Sequence, residues 1–298
     1  MYNEELKMDV IKQKCFKGSI SSYVTLFNAA SSFEEKLQKD LSNFTNDEII
    51  ELLNSFDFTH PQSVRDTLAE INKYKEWRGT QPHSVTKDDV DFAASIRRTL
   101  YDSAHSLIME IQNAVGLDEG FYVVPALCFA WIGISLEDAG QVPYDGIDFV
   151  KGVIYNPSGS VIASFSEPEI TEALLVYSKT TEAIRTQNRT FTVRPLFNEK
   201  FLHLMVTHGS KKTPKPLTRK DIMREATILK EKAKSTRMTY SNILKSGKLN
   251  RLYRLEKSGI DVYSSSNHDI VQQIFADKNN VFDNLFLYRK YKEAFNLE

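Results

Sequence analysis

The sequence predicts a mainly α-helical protein that contains one small antiparallel β-sheet. Apolar residues recur every three or four positions along most of the 298 residues, and capping residues separate these stretches. Strand character is convincing at one place, where Gly146–Tyr155 and Ser160–Phe165 flank the turn Asn156–Gly159. With 41% hydrophobic and 26% charged residues, the chain has enough apolar material for a sizeable core.

The first eighty residues have the pattern of a helical bundle. Amphipathic spacing predicts a helix, or a bent pair, over 18–40, a short helix from Thr45, and a helix from Ser63 to Arg78. The stretch that follows contains Pro82 and lacks apolar periodicity as far as Thr86. We therefore predict a helical domain over 1–80, a linker at 81–86 and a second domain over 87–298.

The second domain is predicted to be helical on both sides of the hairpin. The expected helices are a long one from about Lys87 to Val115, an apolar one over Phe121–Ile134, one over Pro168–Tyr177, two basic ones from Thr218 and Tyr240, and closing helices over Asp269–Phe275 and Phe282–Phe295. The apolar helix is too short to span a bilayer, so we expect no membrane partner.

Composition and motifs argue against several functional classes. The two cysteines, Cys15 and Cys128, are too few for a disulfide framework or a cysteine-based zinc site. The six histidines show no metal-binding spacing, and Ser246-Gly247-Lys248 lacks the upstream glycine of a phosphate loop. The sequence thus predicts no metal and no cofactor. Because the first residues do not resemble a signal peptide, we expect a cytoplasmic protein.

Positive charge is concentrated between Lys200 and Lys257, which we name the basic segment. This segment contains sixteen Lys and Arg against four Asp and Glu, whereas the formal charge of the whole chain is -1. A polyanion or an acidic protein would offset the repulsion, and nucleic acid is the obvious candidate. The residues expected to contact DNA are Lys211, Lys212, Lys215, Arg219, Lys220, Arg224, Arg237, Lys245, Lys248, Arg251 and Arg254.

These cations are suited to different contacts. In the predicted helix from Tyr240, the residues Lys248, Arg251 and Arg254 recur at three-residue spacing on one face, beside a stripe of leucines. Lysines are flexible point charges that suit phosphate contacts, whereas either arginine could bind a guanine edge through two hydrogen bonds. We therefore expect the helix to supply any base contacts and the lysines of residues 209–218 to touch phosphates.

The order of the elements resembles that of the tyrosine recombinase, or phage integrase, family over nearly the whole chain. Phe33–Leu41 and Ser63–Arg78 look like parts of the family's core-binding domain, which has a SAM-like helical fold. Trp131–Asp148 is similar to the family segment in which a Gly-x-Arg precedes the first strand of the hairpin. The resemblance implies a core-binding domain, then a mostly helical recombinase-like domain with a small antiparallel sheet, and double-stranded DNA as partner.

The catalytic residues of active family members are not matched. Those members use two arginines, a lysine on the hairpin turn, a histidine and a tyrosine nucleophile. Here Ser135 falls at the first arginine, Asn242 at the histidine and Lys245 at the second arginine, while Tyr288 or Tyr291 falls at the nucleophile. Each preorganised donor supplies ~10² to 10³ in rate, so the resemblance implies a protein that does not cut DNA.

Inactive proteins of this kind act as DNA-binding regulators in temperate phages. The resemblance therefore implies a repressor that binds operator sites at the nucleoid of a bacterial host and silences lytic genes in the lysogen. Two alternatives stay open: a divergent active recombinase that uses Lys245 and Tyr288, and an interaction module whose basic segment binds an acidic partner. Self-association and a regulatory protein or peptide are open as well.

Overall fold

A computed structural model describes residues 2–14, 20–58, 60–119, 123–179, 183–184, 192–193, 218–276 and 280–298. The helices are α1 (Glu4–Lys14), α2 (Ile20–Leu37), α3 (Asn46–Asn54), α4 (Pro61–Trp77), α5 (Phe92–Thr99), α6 (Ala104–Glu119), α7 (Val124–Trp131), α8 (Leu136–Ala139), α9 (Pro168–Lys179), α10 (Arg219–Ala233), α11 (Tyr240–Lys257), α12 (His268–Phe275) and α13 (Val281–Phe295). The strands are β1 (Ile147–Asp148), β2 (Val153–Tyr155), β3 (Val161–Ser164), β4 (Ala183–Ile184) and β5 (Thr192–Val193). The prediction of a mainly helical protein with a small antiparallel sheet is confirmed.

The chain divides into two compact units, Met1–Arg98 with Phe282–Glu298, and Thr99–Val281. These limits differ from the domains drawn from the sequence. The segment predicted as a linker, 81–86, lies inside the first unit, where the His83 N–H donates to Asn72 Oδ1 at 2.8 Å and Val85 is buried. Its lack of periodicity therefore reflects an ordered loop on the helices of the first unit.

Buried polar contacts fix the first unit around an aromatic core. The rings of Phe27 and Tyr74 meet at 4.8 Å between centroids. The Tyr74 hydroxyl donates to Asp40 at 3.1 Å, and its pKa is raised because burial disfavours the phenolate. The ammonium of buried Lys75 donates to the carbonyls of Ser42 and Phe44 at 2.8 and 2.9 Å. These hydrogen bonds give the buried backbone carbonyls of the loop between α2 and α3 their partners.

Nearly all of the closing helix α13 belongs to the first unit. Its Phe286 meets the ring of Phe92 edge-on at 5.8 Å and lies 4.3 Å from the Lys87 ammonium. An ion pair of 3.3 Å joins Asp283 to Arg65. The apolar spacing of α13 predicts a packed helix, and the structure adds that it packs on α4 and α5 residues.

The second unit is built around α7, of which every residue is buried. Helices α6, α9 and α11 pack around it, and β1, β2 and β3 form an antiparallel sheet in that order. The predicted hairpin is confirmed between β2 and β3, where Val153 pairs with Ser164 and Ile154 with Ala163 across the Asn156–Gly159 turn. The single strand expected over Gly146–Tyr155 is wrong, because this stretch turns back at Gly152, which has a φ of +63°, and its two strands, β1 and β2, pair with each other.

One helix prediction is wrong. The long helix expected from Lys87 to Val115 is two helices, α5 and α6, separated at residues 100–103. The Ser246 Oγ accepts a hydrogen bond from the Tyr101 N–H at 3.0 Å, and the Asn250 side chain donates to the Asp102 carbonyl at 3.0 Å. These side chains of α11 satisfy backbone groups that a continuous helix would use itself.

Candidate nucleic-acid interface

The second unit contains an open cavity of about 530 Å³ beside α11, which we name the basic cleft. One wall is α11 and another is the end of α7, and the sheet closes the third side. Four cations line it: Lys151, Lys248, Arg251 and Arg254. The three α11 residues follow Gly247, which itself lies against the end of α7, so their shared helix face turns toward the cleft.

Two of the four cations are held by carboxylates. The Lys151 ammonium lies 3.0 Å from Asp148, and the Lys151 N–H donates to the same carboxylate at 2.9 Å. That backbone hydrogen bond first, and the ammonium second, hold the pKa of Asp148 below its usual value. The Arg254 guanidinium lies 3.0 Å from Glu167. Both pairs lower the net charge that the cleft presents.

The other two cations of the cleft, Lys248 and Arg251, have different surroundings. The Lys248 ammonium donates to the Phe275 carbonyl at 3.2 Å. Arg251 is exposed, and in the parts of the chain that the structure describes its guanidinium has no hydrogen bond and no ion pair. Its five N–H donors are therefore available to an anion in the cleft.

Outside the cleft, each of the predicted DNA-contacting arginines in the described residues is paired with a carboxylate. Arg219 lies 3.0 Å from Glu137, and Arg224 lies 2.9 Å from Glu225 and 3.7 Å from Asp221. Arg237 pairs with Glu110 and stacks 4.8 Å from the Tyr101 ring. Lys220 is exposed at the start of α10, and Lys211, Lys212 and Lys215 lie outside the described residues. The charge count of the basic segment therefore overstates the positive charge that is open to a partner.

The residues that the sequence resemblance matched to recombinase catalytic positions have structural contacts. Ser135 caps α8, where its Oγ accepts from the Asp138 N–H at 3.1 Å and donates to the Asp138 carboxylate at 2.6 Å. Asn242 lies in the first turn of α11, and its side chain donates to the Thr236 carbonyl at 3.3 Å. Tyr288 is fully buried in the first unit, whereas the other positions belong to the second.

Lys245 has an unusual environment for a cation. Burial, and then the nearby charge of Lys248, lower its pKa to about 8. The predicted DNA contact at Lys245 is thus a mostly enclosed ammonium that does not line the basic cleft.

Sequence reasoning missed Lys151 and Glu167. The resemblance places the family's hairpin lysine on the turn at Asn156–Gly159, which contains no lysine, whereas Lys151 lies in the turn between β1 and β2. A lysine followed by Gly152, whose φ of +63° suits a turn, is a signal that could have found it. For Glu167, the sequence offers no signal, since its partners Trp131 and Arg254 are distant along the chain.

A second cavity of about 380 Å³ lies between α8, α10 and the start of α11. Ser135, Glu137, Arg219, Met223 and Tyr240 line it with neighbouring residues. The Tyr240 hydroxyl donates to the Ile134 carbonyl at 2.9 Å, and burial raises its pKa. Ser135, expected at a recombinase arginine position, and Arg219, an expected DNA contact, therefore line this second cavity and not the basic cleft.

The described residues show no group of histidine, cysteine, aspartate or glutamate side chains arranged to hold a metal ion. Among the same residues, none of the helices combines the length and apolar character that a bilayer crossing requires. Cys128 is buried in α7, and burial raises its pKa to about 12.

Comparison with known proteins finds a family match at the beginning of the chain. Residues 1–79 match the family model described as "MrpR, N-terminal core-binding domain". The chain is also similar to the SPbeta prophage-derived uncharacterized protein YopR of Bacillus subtilis (strain 168), with 35% identity over 80 residues. That match covers 26% of this chain and 23% of the relative. The expected resemblance to a core-binding domain is confirmed for residues 1–79.

Solved recombinase structures also match the chain, at lower sequence identity than the prophage protein. The XerA recombinase matches with a TM-score of 0.42 and 14% identity, over 99% of this chain and 97% of that chain. A lambda integrase dimer bound to a COC′ core site matches with a TM-score of 0.38 and 12% identity, over 100% of this chain and 96% of that chain.

Proposed function

We propose that this protein is a sequence-specific repressor that binds double-stranded DNA on a degenerate tyrosine recombinase fold. Its targets would be operator sites of an SPβ-type phage, whose lytic genes it silences in the lysogen. The core-binding domain at residues 1–79 and the prophage-derived relative support this assignment. The observation that carries it is the basic cleft, in which one helix face and one hairpin present four cations.

The cleft suits a phosphodiester backbone better than an acidic protein surface. Its four cations line one open cavity of about 530 Å³ together with small residues such as Gly133 and Ser164 and apolar ones such as Trp131. The Arg251 guanidinium can bind two oxygens of one phosphate in a planar fork, and Lys248 adds a second charge one turn away. Phosphates contacted in this way fix the register of the protein on DNA.

Binding without cutting follows from the degenerate positions. Transfer of a phosphoryl group to tyrosine needs preorganised positive charge beside the phosphate, and Ser135 cannot supply it. Lys245, with a pKa of about 8, is a weaker substitute for a guanidinium that stays charged at every physiological pH.

The decisive experiment compares Arg251→Ala with Lys257→Ala in binding to genomic fragments of the host and to random duplex DNA. Both substitutions remove one cation from α11, but Lys257 does not line the cleft. We expect Arg251→Ala to cost ~1 to 3 kcal/mol if it contacts a base, or to reduce the slope of log K against log salt by ~0.9 if it contacts a phosphate. Lys257→Ala should bind like wild type.

The outcomes separate the candidate functions. Wild-type binding that is no tighter for any genomic fragment than for random DNA would remove the regulatory role. An absence of DNA binding, combined with capture of an acidic protein through the same residues, would favour the interaction module. Equal losses for Arg251→Ala and Lys257→Ala would show that the cleft is not the binding site.

A further inference from the structure

Glu167 connects the basic cleft to the end of α7. Its Oε1 lies 3.0 Å from Arg254 Nη2 and accepts a hydrogen bond from Trp131 Nε1 at 3.2 Å. Its Oε2 accepts from the Ser166 N–H at 3.2 Å, and the Ser166 hydroxyl accepts from Arg254 Nη1 at 3.1 Å. Both terminal nitrogens of the Arg254 guanidinium are thus occupied by adjacent residues of the loop between β3 and α9.

The exposure of this pair is asymmetric. The Glu167 side chain is 13% exposed, whereas that of Arg254 is 43% exposed and lines the cleft. The carboxylate therefore sits behind the guanidinium, where solvent and salt screen it weakly. An anion that enters the cleft meets Arg254 with its charge already offset.

We propose that Glu167 competes with a DNA phosphate for the Arg254 guanidinium. In wild type the carboxylate holds the Arg254 guanidinium, so a backbone phosphate of double-stranded DNA does not gain this contact. This inference rests on the proposed function, because it assigns a phosphate to the same cleft. It makes Glu167 a residue that sets how tightly the cleft holds DNA.

Glu167→Gln is a suitable test because the amide has nearly the shape of the carboxylate. Its oxygen can still accept from Trp131 and Arg254, so the substitution removes the charge and keeps that acceptor, while the amide NH2 replaces the oxygen that accepts from the Ser166 N–H. The matched control is Glu137→Gln, which frees Arg219 from a similar ion pair that does not line the basic cleft. Arg254→Ala, alone and combined with Glu167→Gln, completes a double-mutant cycle.

The measurement is the affinity of the full chain for a short random-sequence duplex over a range of salt concentrations. We expect Glu167→Gln to bind more tightly and to steepen the slope of log K against log salt by ~0.9, the value for one additional phosphate contact. Glu137→Gln should keep the wild-type slope. In the Arg254→Ala background, Glu167→Gln should have no effect.

Three results would overturn the inference. An unchanged slope in Glu167→Gln means that Arg254 does not contact phosphate. Weaker binding in Glu167→Gln means that the carboxylate positions Arg254 for DNA instead of competing with it. A gain that persists in the Arg254→Ala background means that the effect does not pass through Arg254.

A second readout separates this inference from the proposed function. The chain has two tryptophans, so in a Trp77→Phe background the emission comes from Trp131, whose indole N–H bonds to Glu167. Inorganic pyrophosphate should change this emission at lower concentration in Glu167→Gln than in wild type. If this shift is seen in a protein that fails to bind duplex DNA, the competition between Glu167 and phosphate for Arg254 stands and the proposed function is rejected. Equal pyrophosphate affinities in wild type and Glu167→Gln would reject the competition itself.

Discussion

Gly247 of α11 lies directly against the carbonyl oxygen of Trp131 at the end of α7. A Cβ atom at position 247 would stand 1.7 Å from that oxygen, far inside van der Waals contact. The two helices can approach this closely only because position 247 has no side chain. The same crossing sets the wall of the basic cleft, since Trp131, Gly247 and Lys248 all line it.

Gly247→Ala should therefore destabilise the second unit. The helical backbone at this position suits alanine, but the added methyl group must push two buried helices apart, and overpacking of this kind costs ~1 to 3 kcal/mol or more. Chemical denaturation measures the loss. The control is Ser241→Ala on an exposed face of α11, which should be neutral within ~0.5 kcal/mol. A Gly247→Ala variant as stable as wild type would show that the helices separate at little cost.

The local elements could be predicted from the sequence because their signals are local. Thr218 and Thr239 cap α10 and α11 through their side chains, and both helices begin where the sequence predicts. The break between α5 and α6 could not be predicted, since Ser246 and Asn250, which satisfy its backbone, come more than a hundred residues later.

The candidate site was predictable only in part, for an electrostatic reason. A run of basic residues shows where cations lie along the chain, and the face that holds Lys248, Arg251 and Arg254 was predicted in this way. It does not show which carboxylates approach from other elements. Glu137, Glu110 and Glu167 lie far from the basic segment in sequence, yet each pairs with one of its arginines.

A buried ion pair joins α1 to α2 and should be far more sensitive to substitution than an exposed one. Lys7 and Glu34 form this pair with both side chains fully buried, and Glu34 also accepts from the Leu41 N–H at 2.7 Å. Lys7→Met leaves that carboxylate without its cation, which costs ~3 to 5 kcal/mol. Lys36→Met, which breaks an exposed pair with Glu51, should cost less than ~1 kcal/mol.

Thermal unfolding of the two variants checks this difference. Desolvation is the main reason that the pKa of Glu34 is raised, so the Lys7→Met protein should recover part of its stability as the pH falls and Glu34 takes up a proton. Similar melting temperatures for Lys7→Met and Lys36→Met would contradict the buried pair.

No covalent protein–DNA adduct should form on a nicked suicide duplex. Tyr288 and Tyr291 are both fully buried, and the sequence resemblance matches Ser135 and Lys245 to the positions expected to hold the two arginines. The assay resolves adducts on a denaturing gel, with Tyr288→Phe as the matched control, and both proteins should give no shifted band. An adduct in wild type that disappears in Tyr288→Phe would establish the active recombinase.

The enclosed ammonium of Lys245 should make stability depend on pH in a defined direction. Burial lowers its pKa from 10.5 to about 8, so below pH 8 both the folded and unfolded chains carry the charge and the folded state bears the cost of burying it. Between about pH 8 and 10.5 the unfolded chain holds a proton that the folded chain has released. The contribution of Lys245 to folding therefore becomes more favourable as the pH rises through this window.

Lys245→Met should consequently stabilise the protein most at neutral pH. We expect a gain of roughly 1 to 3 kcal/mol at pH 7 that largely disappears by pH 10.5, because the neutral amine no longer carries the desolvation cost. Chemical denaturation of wild type and variant at both pH values gives the double difference, in which other titrating groups cancel. Lys220→Met, at an exposed position of α10, is the control and should show no such change. A gain for Lys245→Met that is equal at both pH values would mean that Lys245 keeps an ordinary pKa in the folded state.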